Sequence, residues 1–392
     1  MKIFDSTDLS LKKEKSILKL IYQNKSISRP ELLELSKLKI ATLYRTIDSL
    51  VSKGVAVVSK SDESASVGRP SDLLTMNSSF AYVFSIAVRR YVCIVALIDF
   101  SNQIVFKQSF ELDESLSPQE LIARCHNLYI KAVSELKIDD DKVLGVTIST
   151  FGIPKFALDD KNVQEYPGFK WHNFEVVTEL KRVFSKPVQF EYNARSAVQG
   201  NYISRYIRHY KNLAYVIIDE GIGLGLIIDD RIIRGDHRFV NGLGHMVMDI
   251  NGSKCICGKY GCMETKVSKL AIVSSALAEL RLGRDSMLKE KESSLTYLDV
   301  LKAGDQGDRM ASYVIESAAL IFALGLENVL NILDIELIII GGGFPESSHL
   351  FCETVKNKLA KSFPNLKIET GTDETDMILK GSAAAFILDR LK

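Results

Sequence analysis

The chain has 392 residues, enough for two or three domains with sizeable cores. Apolar residues make up 46% and charged residues 25%, which excludes disordered and fibrous classes. The net charge of +1 argues against wholesale coating of nucleic acid, but the first eighty residues hold 13 Lys/Arg against 9 Asp/Glu, a net of +4 that leaves −3 for the remainder.

The N-terminus lacks the apolar core and small-residue cleavage site of a signal peptide, and no apolar run reads as long enough to span a membrane, so a cytoplasmic protein without membrane contact is expected. Residues 12–24 place Ile17, Leu18, Leu20 and Ile21 at near-helical spacing, a first amphipathic helix. Ser28-Arg29-Pro30-Glu31 forms a capping box that starts a second helix carrying Leu32, Leu33 and Leu35. A third pattern runs from Ile40 to Lys53 with Leu43, Ile47, Leu50 and Val51 on one face and Gly54 just past its end. Three helices with a short turn before the last predict a helix-turn-helix, and Lys39, Thr42, Tyr44, Arg45 and Ser49 lie on the face away from the apolar stripe. Those side chains suit a major groove of double-stranded DNA, with Arg45 able to donate two bonds to guanine and Lys39 to meet phosphate. Val55–Val58 and Leu73–Met76 read as two strands of a wing whose loop carries Arg69, a candidate for a minor groove or phosphate. The plainer alternative is a three-helix interaction module with a solvated charged face.

Past Met76 strands alternate with helices. Strands are expected at Tyr82–Val88, Val92–Phe100, Ile104–Leu112 and Val143–Ser149, with a helix at 118–136. A second block repeats the theme with strands Leu213–Asp219, Gly225–Ile228 and Ile232–Arg234, helices near 263–282 and 308–333, and strand Leu337–Ile340 before Gly341-Gly342-Gly343. Two α/β blocks, each opening on a strand meander, predict a two-lobed domain with a cleft, and the last helix, Ile378–Leu391, is expected to pack back on the first block. Within the second block lies the densest chemistry of the chain: His245, then Cys255, Cys257 and Cys262 with Gly258 and Gly261. Three thiols and an imidazole make the Cys₃His set of a closed structural Zn²⁺ site, and the glycines let a short loop wrap the ion. Cys93, Cys125 and Cys352 are scattered and read as core residues, so the cysteines fit a reducing compartment and metal binding better than a disulfide framework.

A winged helix followed by a two-lobed α/β body with Gly-His and then Cys-x-Cys-Gly-x-x-Gly-Cys-x-Glu resembles the ROK family of bacterial transcriptional repressors and sugar kinases. The resemblance implies a winged helix-turn-helix over residues 1–78 and an actin-like, ribonuclease-H-like ATPase-fold body. The body's small lobe would span 79–190 plus 378–392, and its large lobe 191–377. It also implies which kinase parts are altered. The position of the family's phosphate loop falls on Ala87, Arg89, Arg90 and Tyr91, which offer no Mg²⁺ anchor. The catalytic Asn-Asp-Ala-Asn segment falls on Tyr192-Asn193-Ala194-Arg195, and the amide of Asn193 cannot take a proton from a sugar hydroxyl. Gly221–Gly225 survives, but Asp219 and Glu220 before it would repel a triphosphate, so a tight strand connection is the favoured reading.

Sugar recognition is a separate property. The resemblance places Gly152, Asn193, His245 and Glu264 at a sugar, with Tyr192 and Gly242 standing where the family has Asn and Glu. His245 would also ligate zinc, and the ion would hold the loop that aims Glu264. The reading that follows is a sugar-responsive DNA-binding regulator, a repressor of carbohydrate-utilisation genes, without kinase activity and acting as a homodimer or dimer of dimers. The alternatives are an active sugar kinase with an accessory DNA-binding domain and a constitutive DNA-binding protein whose pocket binds nothing.

Overall fold

The computed structural model of the chain describes residues 9–60, 72–113, 115–151, 153–154, 163–165, 174–234, 242–344 and 347–392. The elements group into two compact units, Met1–His209 with Thr375–Lys392, and Tyr210–Glu374.

The first unit opens with α1 (Leu9–Asn24), β1 (Ser26–Ser28), α2 (Arg29–Ser36), α3 (Ile40–Ser52), β2 (Ala56–Lys60) and β3 (Asp72–Met76). The capping box is present: the Glu31 amide donates to Ser28 Oγ and the Ser28 amide to Glu31 Oε2 at 2.8 Å, fixing where α2 begins. Lys37, in the left-handed region at φ 53°, turns the chain into α3, and Gly54 at φ +68° ends that helix. Ile17, Leu18 and Ile21 of α1 are buried with Leu32, Leu43, Ile47 and Leu50, so three amphipathic faces close one small core. The wing is three-stranded in the order β1-β3-β2, because the short β1 pairs with β3 through Ser26–Ser28 and Leu73–Thr75. Ser28→Ala should lower the stability of this unit by about 1 kcal/mol, read by urea denaturation.

The body continues with β4 (Tyr82–Val88), β5 (Val92–Asp99), β6 (Ile104–Glu111), α4 (Pro118–Glu135), β7 (Val143–Thr150), β8 (Ile153–Pro154), β9 (Val163–Glu165), β10 (Phe174–Glu175), α5 (Val176–Phe184), β11 (Val188–Tyr192) and α6 (Asn193–Asn201). Its main sheet runs β11-β7-β4-β5-β6, an antiparallel meander β4–β5–β6 extended by two parallel strands. The second unit has β12 (Leu213–Ile218), β13 (Ile222–Ile228), β14 (Arg231–Ile232), α7 (Glu264–Val267), α8 (Lys269–Arg281), α9 (Tyr297–Asp305), α10 (Arg309–Leu330), β15 (Leu337–Gly341), α11 (His349–Ala360) and β16 (Lys367–Thr370). Its sheet, β14-β13-β12-β15-β16, repeats the same plan of meander plus two parallel strands. The two expected strand meanders are therefore both present.

Three expectations change. Residues 191–209 belong to the first unit rather than the second, because α6 packs flat against the last helix, α12 (Glu374–Arg390): a Cβ on Gly381 would overlap the Ser196 carbonyl, and one on Gly200 the Met377 carbonyl. The helix expected near 263–282 is two, since Ser268 leaves helical geometry and accepts the Ala271 amide as a new cap. Finally, α10 is long and apolar enough to cross a membrane, which the sequence reading denied; half of its apolar window is buried in the second unit's core, with Phe322 and Leu326 inside. The expected return of the C-terminal helix holds. In α12 Ser382 Oγ lies 3.1 Å from Ser85 Oγ and 3.0 Å from Thr147 Oγ1, joining the helix to β4 and β7.

Candidate functional site

The Cys/His stretch folds on itself as a tight ribbon. Val247 bridges to Cys262 and Lys254 to Tyr260, while the Cys255 amide donates to the Lys259 carbonyl at 2.8 Å. Gly258 and Gly261 take φ +91° and +67°, and a Cβ on Gly261 would overlap the Asp249 carbonyl oxygen. The ligand atoms of His245, Cys255, Cys257 and Cys262 come within 4.8 Å of one another. Cys255 Sγ is 3.6 Å from His245 Nδ1, and Cys257 Sγ is 3.6 Å from Cys262 Sγ. A tetrahedral Zn²⁺ with bonds of about 2.3 Å to sulfur and 2.0 Å to nitrogen separates its ligands by about 3.6–3.8 Å, so the four residues fit. Burial pushes the Cys255 thiol up to about 12. The residues can hold a metal ion.

Glu264 opens α7 directly after this ribbon. It is buried, and its Oε2 accepts the Ile222 amide at 3.0 Å. Gly221 and Gly244 flank it so closely that a Cβ on either would sit 2.8 or 3.3 Å from Oε2. Burial pushes the carboxyl up to about 7. The Cys/His ribbon thus runs directly into a buried carboxylate. The sequence does not reveal the two glycines as Glu264's neighbours, because they reach it from separate segments.

Asn193, at the start of α6 in the first unit, is 9% exposed. Its Nδ2 donates to the Val88 carbonyl at 3.1 Å, and its Oδ1 has no partner among the described residues. A buried amide oxygen left unpaired is costly, and a ligand hydroxyl would satisfy it. Tyr192 is not open to a sugar on both faces: the Arg195 guanidinium covers its ring at 4.7 Å and Phe190 meets it edge-on at 5.2 Å. Gly152 lies outside the described residues.

Arg89, Arg90 and Tyr91 form the β4–β5 hairpin turn, closed by the Arg89 amide to the Val92 carbonyl at 2.9 Å. Asp99 ends β5 and accepts the Ser101 and Gln103 amides at 2.9 Å. Of Gly221–Gly225, expected to be a tight strand connection, only Gly221 lies in the turn, where its carbonyl accepts the Asp219 amide at 2.9 Å; Ile222–Gly225 already form the start of β13, paired with β12. The expected repulsion by Asp219 is corrected. Its carboxylate lies 2.5 Å from Lys269 Nζ, which also sits 4.7 Å from the Tyr297 ring centroid, so the acid is paired with a cation, while Glu220 stays as expected in sequence before the glycines. Local sequence carries no sign of this pair, whose members lie on different elements.

On the winged helix, Lys39 precedes α3 and is exposed, Arg45 is exposed, and Thr42 is half-buried. Tyr44 is 39% exposed beneath the Arg29 guanidinium, 5.0 Å from its ring. Ser49 differs: its hydroxyl donates to Glu14 Oε1 at 2.7 Å, where Lys53 Nζ also binds at 2.7 Å, so it ties α3 to α1. Arg69 lies outside the described residues.

A model of the ROK family matches residues 91–374. The chain is 26% identical to the xylose repressor of Caldicellulosiruptor bescii over 382 residues, covering 96% of this chain and 95% of that one. It is 22% identical to the DNA-binding transcriptional dual regulator NagC of Escherichia coli, covering 87% and 83% of the two. In fold it resembles a ROK family transcriptional regulator described as a homologue of the E. coli MLC protein, with a TM-score of 0.79 at 22% identity over 97% of this chain and 98% of that one. The family model takes in the Cys/His ribbon and well over half of the chain, and the chain belongs to the ROK family.

Proposed function

We propose that this protein is a sugar-responsive, DNA-binding transcriptional repressor without kinase activity. The observation that carries the reading is the winged helix whose α3 buries Leu43, Ile47 and Leu50 while leaving Lys39 and Arg45 in solvent. The repressor names of its relatives along nearly the whole chain support it. Lys39 and Arg45, with Thr42 and Tyr44 beside them, would meet the major groove of an operator, and Arg69 the adjacent backbone or minor groove. Winged helices paired about a two-fold axis read repeated half-sites, so a homodimer is the functional form.

The small ligand is a sugar or sugar derivative. Asn193 Oδ1 would accept a ligand hydroxyl, with Glu264, His245 and Gly152 as the other candidate contacts. Asn193 can donate and accept hydrogen bonds but cannot remove a proton, so the site binds without transferring phosphate. His245, Cys255, Cys257 and Cys262 would hold Zn²⁺, which with four protein ligands leaves no open position and supplies a rigid clip rather than an activated water.

Arg45→Ala should weaken binding to a selected operator duplex by about 2 kcal/mol, measured by fluorescence anisotropy at fixed salt. An unchanged affinity removes Arg45 from the recognition surface. Calorimetry against a panel including xylose and N-acetylglucosamine tests the sensor, and a panel without any binding sinks it. Sustained phosphate release into any of these sugars from ATP would restore the kinase reading.

A further inference from the structure

Residues 193–209 form one continuous rod. Its first part is α6, its second a wide π turn over Tyr202–Tyr206 in which the Ile207 amide bonds the Tyr202 carbonyl at 2.9 Å, and its end a turn in which the His209 amide bonds the Tyr206 carbonyl at 2.8 Å. At roughly 1.5 Å per residue, Asn193 and Arg208 stand about 20 Å apart. The near end is the buried amide with the unpaired oxygen. The far end grips the DNA-binding domain. Arg208 Nε donates to Asn24 Oδ1 at 3.1 Å, its Nη2 to the Ser26 carbonyl at 2.9 Å, and its Nη1 lies 4.0 Å from Glu31 Oε1. From the other side Lys25, in the left-handed region at φ 60°, donates Nζ to the Ser204 carbonyl at 2.5 Å.

Each gripped group has a structural duty of its own. Asn24 closes α1 by donating to the Leu20 carbonyl at 2.8 Å, Ser26 begins the wing's third strand, and Glu31 completes the capping box that starts α2. The guanidinium thus holds the corner from which the whole helix-turn-helix is hung. Along its length the rod is seated on α12 through Gly200 and Gly381, where no side chain intervenes between the backbones. A contact of that kind moves by small rigid shear rather than by repacking. π turns interrupt helices at functional positions more often than elsewhere.

We infer that Arg208 is the coupling residue of this regulator: the rod from Asn193 to Arg208 carries ligand occupancy to the DNA-binding domain as a displacement of the Asn24–Ser26–Glu31 corner. The inference rests on the sugar-sensing reading, since it is that ligand which biases the rod. It requires the two positions of the corner to differ in operator affinity.

The test uses the full-length protein, a duplex selected with the wild-type protein from a random library, and xylose and N-acetylglucosamine as probes. In Arg208→Ala, sugar affinity by calorimetry and sugar-free operator affinity should stay within a few-fold of wild type, while the ratio of operator affinities with and without sugar falls to about one. Arg208→Lys keeps the charge beside Glu31 but loses the fork that spans Asn24 and Ser26, so it should restore only part of the ratio. A wild-type ratio in Arg208→Ala overturns the proposal. If neither sugar shifts the wild-type operator affinity, the sugar-sensing reading fails for these probes, and amide hydrogen exchange then decides the clamp: faster exchange over residues 24–36 in Arg208→Ala supports it, and unchanged exchange overturns it.

Discussion

Cys257→Ser is expected to abolish bound metal and to destabilise the second unit by on the order of 4 kcal/mol. Three features of the ribbon lead there. The four ligand atoms lie within 4.8 Å of one another, so removing one leaves the remaining thiols clustered without the cation that offsets their repulsion. The loop has little packing of its own, since Ile250, Ile256 and Tyr260 are 85%, 65% and 57% exposed. It also leads straight into Glu264 and α7, where Met263 packs against Gly325 of α10. Loss of the clip should therefore spread from the ribbon to the core helix. The checks are metal content by emission spectrometry and the midpoint of a thermal scan against wild type. Cys352→Ser, outside the cluster, should keep full metal content. A wild-type protein purified without stoichiometric zinc would overturn the ligand assignment.

Gly381→Ala should destabilise the first unit by about 3 kcal/mol or more. The sign is opposite to the usual one, because alanine in an open helix interior is better than glycine by about 1 kcal/mol. Here the added methyl would overlap the Ser196 carbonyl and crowd the Gly200 amide, both backbone atoms that cannot rotate away. Gly200→Ala meets the Met377 carbonyl and should behave alike. Gly304→Ala is the contrast: its nearest neighbour is the Cδ1 of Ile315, the far end of a side chain, so a milder loss is expected. Urea denaturation of all three checks the ranking, and a Gly381→Ala protein as stable as wild type would overturn the close seating of α6 on α12.

What the sequence reveals and conceals follows the range of the interactions. The Ser28/Glu31 capping box and Gly54 at the end of α3 are local, and both are where the sequence places them. The Cys/His ribbon is legible for the same reason, because its cysteines and its glycines sit within one short stretch. The unit boundary is not, since what draws residues 191–209 into the first unit is a glycine crossing with a helix almost two hundred positions later. Ser49 illustrates an angular ambiguity: it stands at the edge of the polar arc of α3, and only the position of Glu14 on α1 decides that it faces inward. The β1 strand escapes sequence reading because three residues carry no period, and Lys269 because its partner Asp219 belongs to a different element. The apolar stretch Arg309–Leu330 shows the converse, a strong local signal whose meaning is set by the core around it.

The C-terminal helix bears on the order in which the chain can mature. The second unit, Tyr210–Glu374, is contiguous and has every strand of its sheet once β16 has left the ribosome. The first unit, although it begins at the N-terminus, stays incomplete until Thr375–Lys392 arrives to cover Ser85 and Thr147. Domains generally fold in order of synthesis, yet here the half that carries the winged helix is finished last. A chain truncated before Ser382 would lose the hydroxyl that meets Ser85 and Thr147, so the unit that carries the winged helix depends on a segment far from it in sequence.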